Sequence, residues 1–274
     1  MTPEQLLALL AALAGDDLLA VSESHLIRAA SGPREAPASA PGRVAVVPIL
    51  GAMSARSYRT YFGAVEGMDS LRARIAAAAR DGNVSAIVLD IDSPGGTVAG
   101  AAETASAVAA AAKIKPVVAV ANSVAASAAY WIGSQASEFV VAPNAIVGSI
   151  GVMAVHQNVA KALDRMGVET TLIRSGGRKA EGHPFGPLDD AARAALQARV
   201  DEAAASFLDA VAQGRRLSAS TARERFGDGR AMGAAEAVAS GLADRVATLE
   251  ATIASLAAGS AKRAPGRRSA LAFA

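Results

Sequence analysis

A chain of 274 residues, 52% of them hydrophobic but only 4% aromatic, is long enough to bury a sizeable core packed mainly with Ala, Val, Leu and Ile. The absence of cysteine excludes disulfides, a thiol nucleophile and thiolate-bound metal. A net charge of +2, with basic residues clustered only from Lys262 to Arg268, argues against nucleic-acid binding, and His25, His156 and His183 lack metal-ligand spacing, so no metal or cofactor is expected.

In residues 1–30 the apolar run Leu6 to Ala14 is too short to cross a bilayer, and no Lys/Arg-led start marks a signal peptide. Thr2, Pro3 and Gln5 fit an N-cap, a first-turn proline and a capping-box partner, so an N-terminal amphipathic helix is expected. Residues 31–42, SGPREAPASAPG, read as a linker. No other stretch suggests a membrane span.

From there strands and helices alternate. Strands are expected at 43–50, 84–91, 116–121, 138–142 and 168–174, and helices at 68–80, 97–112, 125–134 and 156–166. VSAIVLDI (84–91) is continuously apolar, as a strand covered on both faces should be. Helices follow at 189–213, 218–226, 233–240 and 246–256, and residues 257–274 form a basic flexible tail. The pattern predicts an α/β fold with a parallel sheet, right-handed crossover helices and a C-terminal helical portion, all within 43–256.

Four segments could carry chemistry. DIDSPGGTVAG (90–100) joins a strand to a helix through a Pro-Gly-Gly turn, where backbone N–H groups can face an oxyanion. NSVAASAAYWIG (122–133) places Ser127 between a strand and a helix, where the hydroxyl is either an N-cap or a nucleophile beside an oxyanion-binding N–H. APNAIVGSIGV (142–152) holds Ser149 between glycine and isoleucine, and LIRSGGRKAEG (172–182) carries Lys179. A lysine at the surface is inert, whereas one enclosed by its partners loses its charge and can serve as a general base. Tyr130 and Trp131 read as core or subunit contacts, and Asp90 and Asp92 as supports of the Gly-Gly turn.

DSPGG, AASAAYWIG, GSIGV, SGGRK and GRAMGAAEAVASGLAD, in this order between about Arg43 and Asp244, resemble the S49 peptidases, the signal peptide peptidase A family. The resemblance implies the fold shared by Clp protease and crotonases. It also implies a serine endopeptidase with a Ser–Lys dyad. Ser127 matches the nucleophile, Lys179 the general base and Ser149 the hydroxyl that orients the lysine. Gly95, Gly96 and Ala128 match the oxyanion-hole backbone. The family commonly has Gly-Gly after the serine, and Ala128-Ala129 in its place is expected to narrow the pocket. The small residues around Ser127 suggest cleavage next to small apolar side chains such as alanine.

The resemblance further implies a polypeptide substrate and a ring-like homo-oligomer in which the lysine can come from an adjacent chain. Single-copy members without an anchor point to the phage and prophage branch, which processes capsid or scaffold proteins in the bacterial host cytoplasm or prohead. Three other readings stay open at this point. They are a cellular signal-peptide or quality-control peptidase, a non-catalytic assembly protein, and a crotonase-like acyl-CoA enzyme that uses the oxyanion hole without a serine nucleophile.

Overall fold

A computed structural model describes residues 19–21, 43–60 and 63–261. In chain order they form β1 (Leu19–Val21), β2 (Arg43–Leu50), β3 (Tyr58–Thr60), β4 (Gly63–Val65), α1 (Met68–Arg80), β5 (Val84–Ser93), β6 (Gly95–Thr97), α2 (Ala101–Ala112), β7 (Val117–Ala126) and α3 (Ala128–Gly133). There follow β8 (Glu138–Val141), β9 (Ile146–Gly148), α4 (Ala160–Arg165), α5 (Asp190–Gly214), α6 (Ala219–Phe226), β10 (Ala231–Gly233), α7 (Ala234–Ser240), β11 (Arg245–Val246) and α8 (Leu249–Ala261). The expected linker at 31–42 lies outside the described residues; of the flexible tail expected at 257–274, residues 257–261 instead continue α8, and the remainder lies outside the described residues. Of the segment expected as an N-terminal helix, only residues 19–21 are described, and they form a strand.

The main sheet runs β10-β9-β7-β5-β2, with β8 also on β7 and β11 on β8. Pairing is parallel throughout except between β10 and β9. The α/β fold with a mostly parallel sheet is therefore the one expected. Its apolar strands follow from burial on both faces. Ile87, Leu89 and Ile91 of β5 and Val117, Ala119 and Ala121 of β7 join the larger core, whereas Val88, Val118 and Val120 point the other way into a second cluster with Val140. Leu249, Ile253 and Leu256 of α8 cover that second face. On the first face α1 buries Met68, Leu71, Ile75 and Ala79, a helical stripe, and packs against α2.

β7 branches the sheet. Its first half, Val118–Ala121, pairs with β8, and its second half, Val124–Ala126, pairs with β9 on the same edge, while β5 holds the opposite edge. Asn122 and Ser123 are exposed at the branch. The half that leads to Ser127 is thus held by β9, which is itself held by β10 from far along the chain.

Several expected boundaries move. The helix expected at 97–112 starts at Ala101, because residues 95–97 are drawn into β6 by Met53: Met53 N–H donates to Gly95 O at 2.8 Å and Thr97 N–H to Met53 O at 2.9 Å. The helix expected at 125–134 starts at Ala128, because Ala125 and Ala126 stay in β7, paired with Val147 and Gly148. The strand expected at 168–174 has no sheet partner among the described residues. It runs through an exposed arm between Gly151 and Asp189 whose only regular element is α4. Ile173 on this arm is 92% exposed.

Candidate active site

Ser127 sits at the corner where β7 becomes α3, with φ of 54° and ψ of −125°. Positive φ is unfavourable for a residue with a Cβ, so the surroundings must hold it there. They do so through the main chain: Ser127 N–H donates to Gly148 O at 2.8 Å, and Ser127 O accepts from Trp131 N–H at 2.9 Å. The residue occupies the N-cap position of α3, yet its side chain makes no capping hydrogen bond. A sharp, strained strand-to-helix corner with an uncommitted hydroxyl is the form that a nucleophilic serine takes on α/β scaffolds. Ala128 follows as the first residue of α3, where a backbone N–H has no partner within the helix.

The Pro-Gly-Gly turn lies beside this corner. Ser93, two residues before Gly95, pairs with Ala125 of β7, and α3 packs against β6. Gly95 N–H donates to Ser93 Oγ at 3.2 Å, and Ser93 Oγ donates to Gly51 O at 2.6 Å. Gly95 N–H is therefore occupied. Gly95 O and Thr97 N–H both face Met53, so strand alternation sends Gly96 N–H and C=O to the opposite edge of β6. Both glycines are required. Gly95 has φ of 113°, and a Cβ on Gly96 would come within 2.0 Å of Met53 O.

Ser149 is brought to the same place. It follows Gly148, the residue that accepts from Ser127 N–H, and it too has positive φ, 51°. Its N–H donates to Arg230 O at 2.9 Å, so the chain around β10 fixes this second corner. Ser127, Ser149, Gly95, Gly96 and Ala128 thus converge at one end of the sheet.

No hydrogen bond or ion pair among the described residues joins Lys179 to them. The lysine is exposed on the arm, while its neighbour Arg178 pairs with Glu181 at 2.7 Å. No ion pair or side-chain hydrogen bond engages Lys179 among the described residues. His183 turns to local contacts: its Nδ1 accepts from Phe185 N–H at 3.1 Å, and its carbonyl oxygen lies 3.1 Å from His156 Nε2. No group of His, Cys, Asp or Glu able to hold a metal occurs among the described residues.

The helix behind the corner is anchored by its aromatics. Trp131 stacks on Phe207 of α5 with ring centroids 4.7 Å apart, and Tyr130 Oη donates to Leu242 O at 2.8 Å. Burial pushes the Tyr130 phenol well above its ordinary value, so it acts as a fixed donor. Ala128 and Ala129 are fully buried and belong to the larger core. Asn122 Nδ2 donates to Asp90 Oδ1 at 3.2 Å, which ties β5 to β7 near the branch. Ser93 was not singled out from the sequence. The signal was its place two residues before Gly95, where a hydroxyl can close a turn on a backbone N–H.

A sequence profile of peptidase family S49 matches residues 109–263. Capsid assembly protease C of Escherichia phage lambda is 37% identical over 249 residues, which cover 90% of this chain and 53% of that protein. Head-tail preconnector protein GP5 of Enterobacteria phage P21 is 38% identical over 171 residues, 62% of this chain and 34% of that protein. The chain therefore spans about half or less of the length of these two relatives. Among solved structures, a serine-to-alanine mutant of the 1510-N membrane-bound stomatin-specific protease superposes with a TM-score of 0.50 at 18% identity, covering 80% of this chain and 86% of that one, a likeness of fold.

Proposed function

Because this chain belongs to peptidase family S49, we propose that it is a serine endopeptidase in which Ser127 is the nucleophile and Lys179 the general base. The observation that carries this reading is the Ser127 corner: a strained serine with an uncapped hydroxyl, beside a glycine turn that presents a backbone N–H. Ser127 Oγ attacks the scissile carbonyl carbon, and neutral Lys179 takes its proton. The carbonyl oxygen, now negative, is held by Gly96 N–H and Ala128 N–H. Gly95 supports the turn, since its own N–H is spent on Ser93. Collapse releases the amine, which receives the proton from Lys179, and water then hydrolyses the acyl-serine. Ser149, beside Ser127, orients the lysine.

The lysine is delivered by a second copy of the chain. The arm that carries it exposes Val155, Met166, Val168, Leu172, Ile173 and Phe185, an apolar surface that a neighbouring subunit would cover. Packing a subunit over the arm would also desolvate Lys179 and favour the neutral amine that the reaction needs. A closed homo-oligomer satisfies both demands at every site.

The phage relatives support a role in head assembly, with capsid or scaffold polypeptides as substrates in the host cytoplasm or the prohead. No helix among the described residues is long and apolar enough to cross a membrane. The test is cleavage of casein by wild type, Ser127→Ala and Lys179→Ala, purified side by side. Both substitutions should lower the rate by roughly 10⁴-fold or more. Equal rates in all three would refute the dyad.

A further inference from the structure

β1 pairs antiparallel with β6, and the register sets Leu19 opposite Thr97, Ala20 opposite Gly96 and Val21 opposite Gly95. The N-terminal region of the chain thus adds a strand to the edge of the glycine turn. Gly95 O and Thr97 N–H are both taken by Met53, which leaves Gly96 N–H and C=O directed at β1. In an antiparallel ladder two residues that face each other in this way exchange both hydrogen bonds. The Ala20 carbonyl therefore lies against the N–H that the proposed mechanism uses to bind the oxyanion. The sequence on either side is LLA before this carbonyl and VSES after it, which places a small residue at the acyl position.

We propose that the peptide bond between Ala20 and Val21 is an internal substrate, and that the protein removes its own first 20 residues. The inference rests on the peptidase reading and deepens it. It identifies a substrate, an extended segment paired through its backbone with β6 and with alanine opposite Gly96. Ser127 Oγ forms an ester with the Ala20 carbonyl carbon while its proton passes to Lys179. The C–N bond to Val21 breaks, and that proton goes to the new Val21 amine. Water then attacks the ester, which releases a segment ending in the Ala20 carboxylate and restores the Ser127 hydroxyl.

The experiment is intact-mass spectrometry and N-terminal sequencing of the purified full chain over time. Wild type, Ser127→Ala and Ala20→Asp are compared, and each is assayed in parallel on casein. The expected result is a wild-type product that begins at Val21 and is absent from Ser127→Ala. Ala20→Asp should slow its appearance at least tenfold while casein is still cleaved. Wild type that cleaves casein yet keeps Met1 through Val21 intact would overturn this inference and leave the peptidase reading standing. A product at Val21 that persists in Ser127→Ala would assign the cut to a contaminant and overturn it as well. Failure to cleave either casein or the chain itself would overturn both.

Discussion

Ser127 and Ser149 share an unusual backbone state: they are two of the three non-glycine residues with positive φ among the described residues. Each is held by a main-chain bond from a neighbouring strand or loop, so the strain of each corner is supported from outside it. Gly96 meets a different constraint, since its α-hydrogen faces the Met53 carbonyl. Gly96→Ala should therefore displace the turn, cut casein cleavage by at least about 100-fold, the scale seen on loss of one oxyanion donor, and destabilise the fold by about 2 kcal/mol or more. Urea unfolding followed by circular dichroism checks the second figure. Ser127, Ser149 and the glycine pair were legible in the sequence because strand-to-helix corners need small residues and leave a local pattern. Ser93 was harder to see, because its part depends on Gly51, which is remote in sequence. The exposure of Lys179 was not legible either: the sequence offered both a buried and a surface reading, and the single chain places it at the surface.

At the level of elements, α3 has only six residues, too few to be stable alone, so its position depends on what it touches. The Trp131 stack on Phe207 ties it to α5, and Tyr130 ties it to the Leu242 carbonyl. Trp131→Ala should cost about 3–5 kcal/mol, measured by urea unfolding, and loosen the corner that holds Ser127. A second tie closes the C-terminal part onto the sheet. Asp244 accepts from Arg215 at 2.7 Å and from Phe139 N–H at 2.7 Å. Burial works against its ionisation, but the Arg215 hydrogen bond and the Phe139 N–H outweigh it and hold the carboxyl below its ordinary value of 3.8. A lowered folded-state value contributes stability that is full above that ordinary value and is lost as pH falls through the lower one. With the Asp244 side chain 43% exposed and its ion pair screened by solvent, Asp244→Asn should cost at most about 1 kcal/mol at pH 7. The difference between variant and wild type should shrink toward pH 3, which denaturant titrations at the two pH values would reveal. Most helices and central strands could be read from periodicity. The short strands β6, β9 and β10 could not, because three residues carry no pattern and their pairing is set by distant partners.

For the whole molecule, the sequence predicted the sheet and its covering helices from apolar runs, and those need only one chain to be satisfied. The segment at 168–174 has a strand's composition but no strand partner among the described residues, and it lies on the arm with Lys179. If the base comes from a neighbour, Ser127→Ala and Lys179→Ala proteins should complement each other. Mixing the two inactive variants in equal amounts and allowing exchange should restore about one quarter of wild-type casein cleavage, since a random half of the serines would meet a random half of the lysines. A mixture as inactive as its parts would place both groups in one subunit.

The β6 strand meets β1 with two glycines and no side chain beyond hydrogen at those positions. Whatever lies along it is grasped by features that every peptide possesses. On the proposed peptidase reading such a grip senses posture, an extended and unpaired stretch, and leaves the preference for a small side chain beside the cut to the surroundings of Ser127. Under that reading, proximity and timing join the residue beside the cut in choosing among targets.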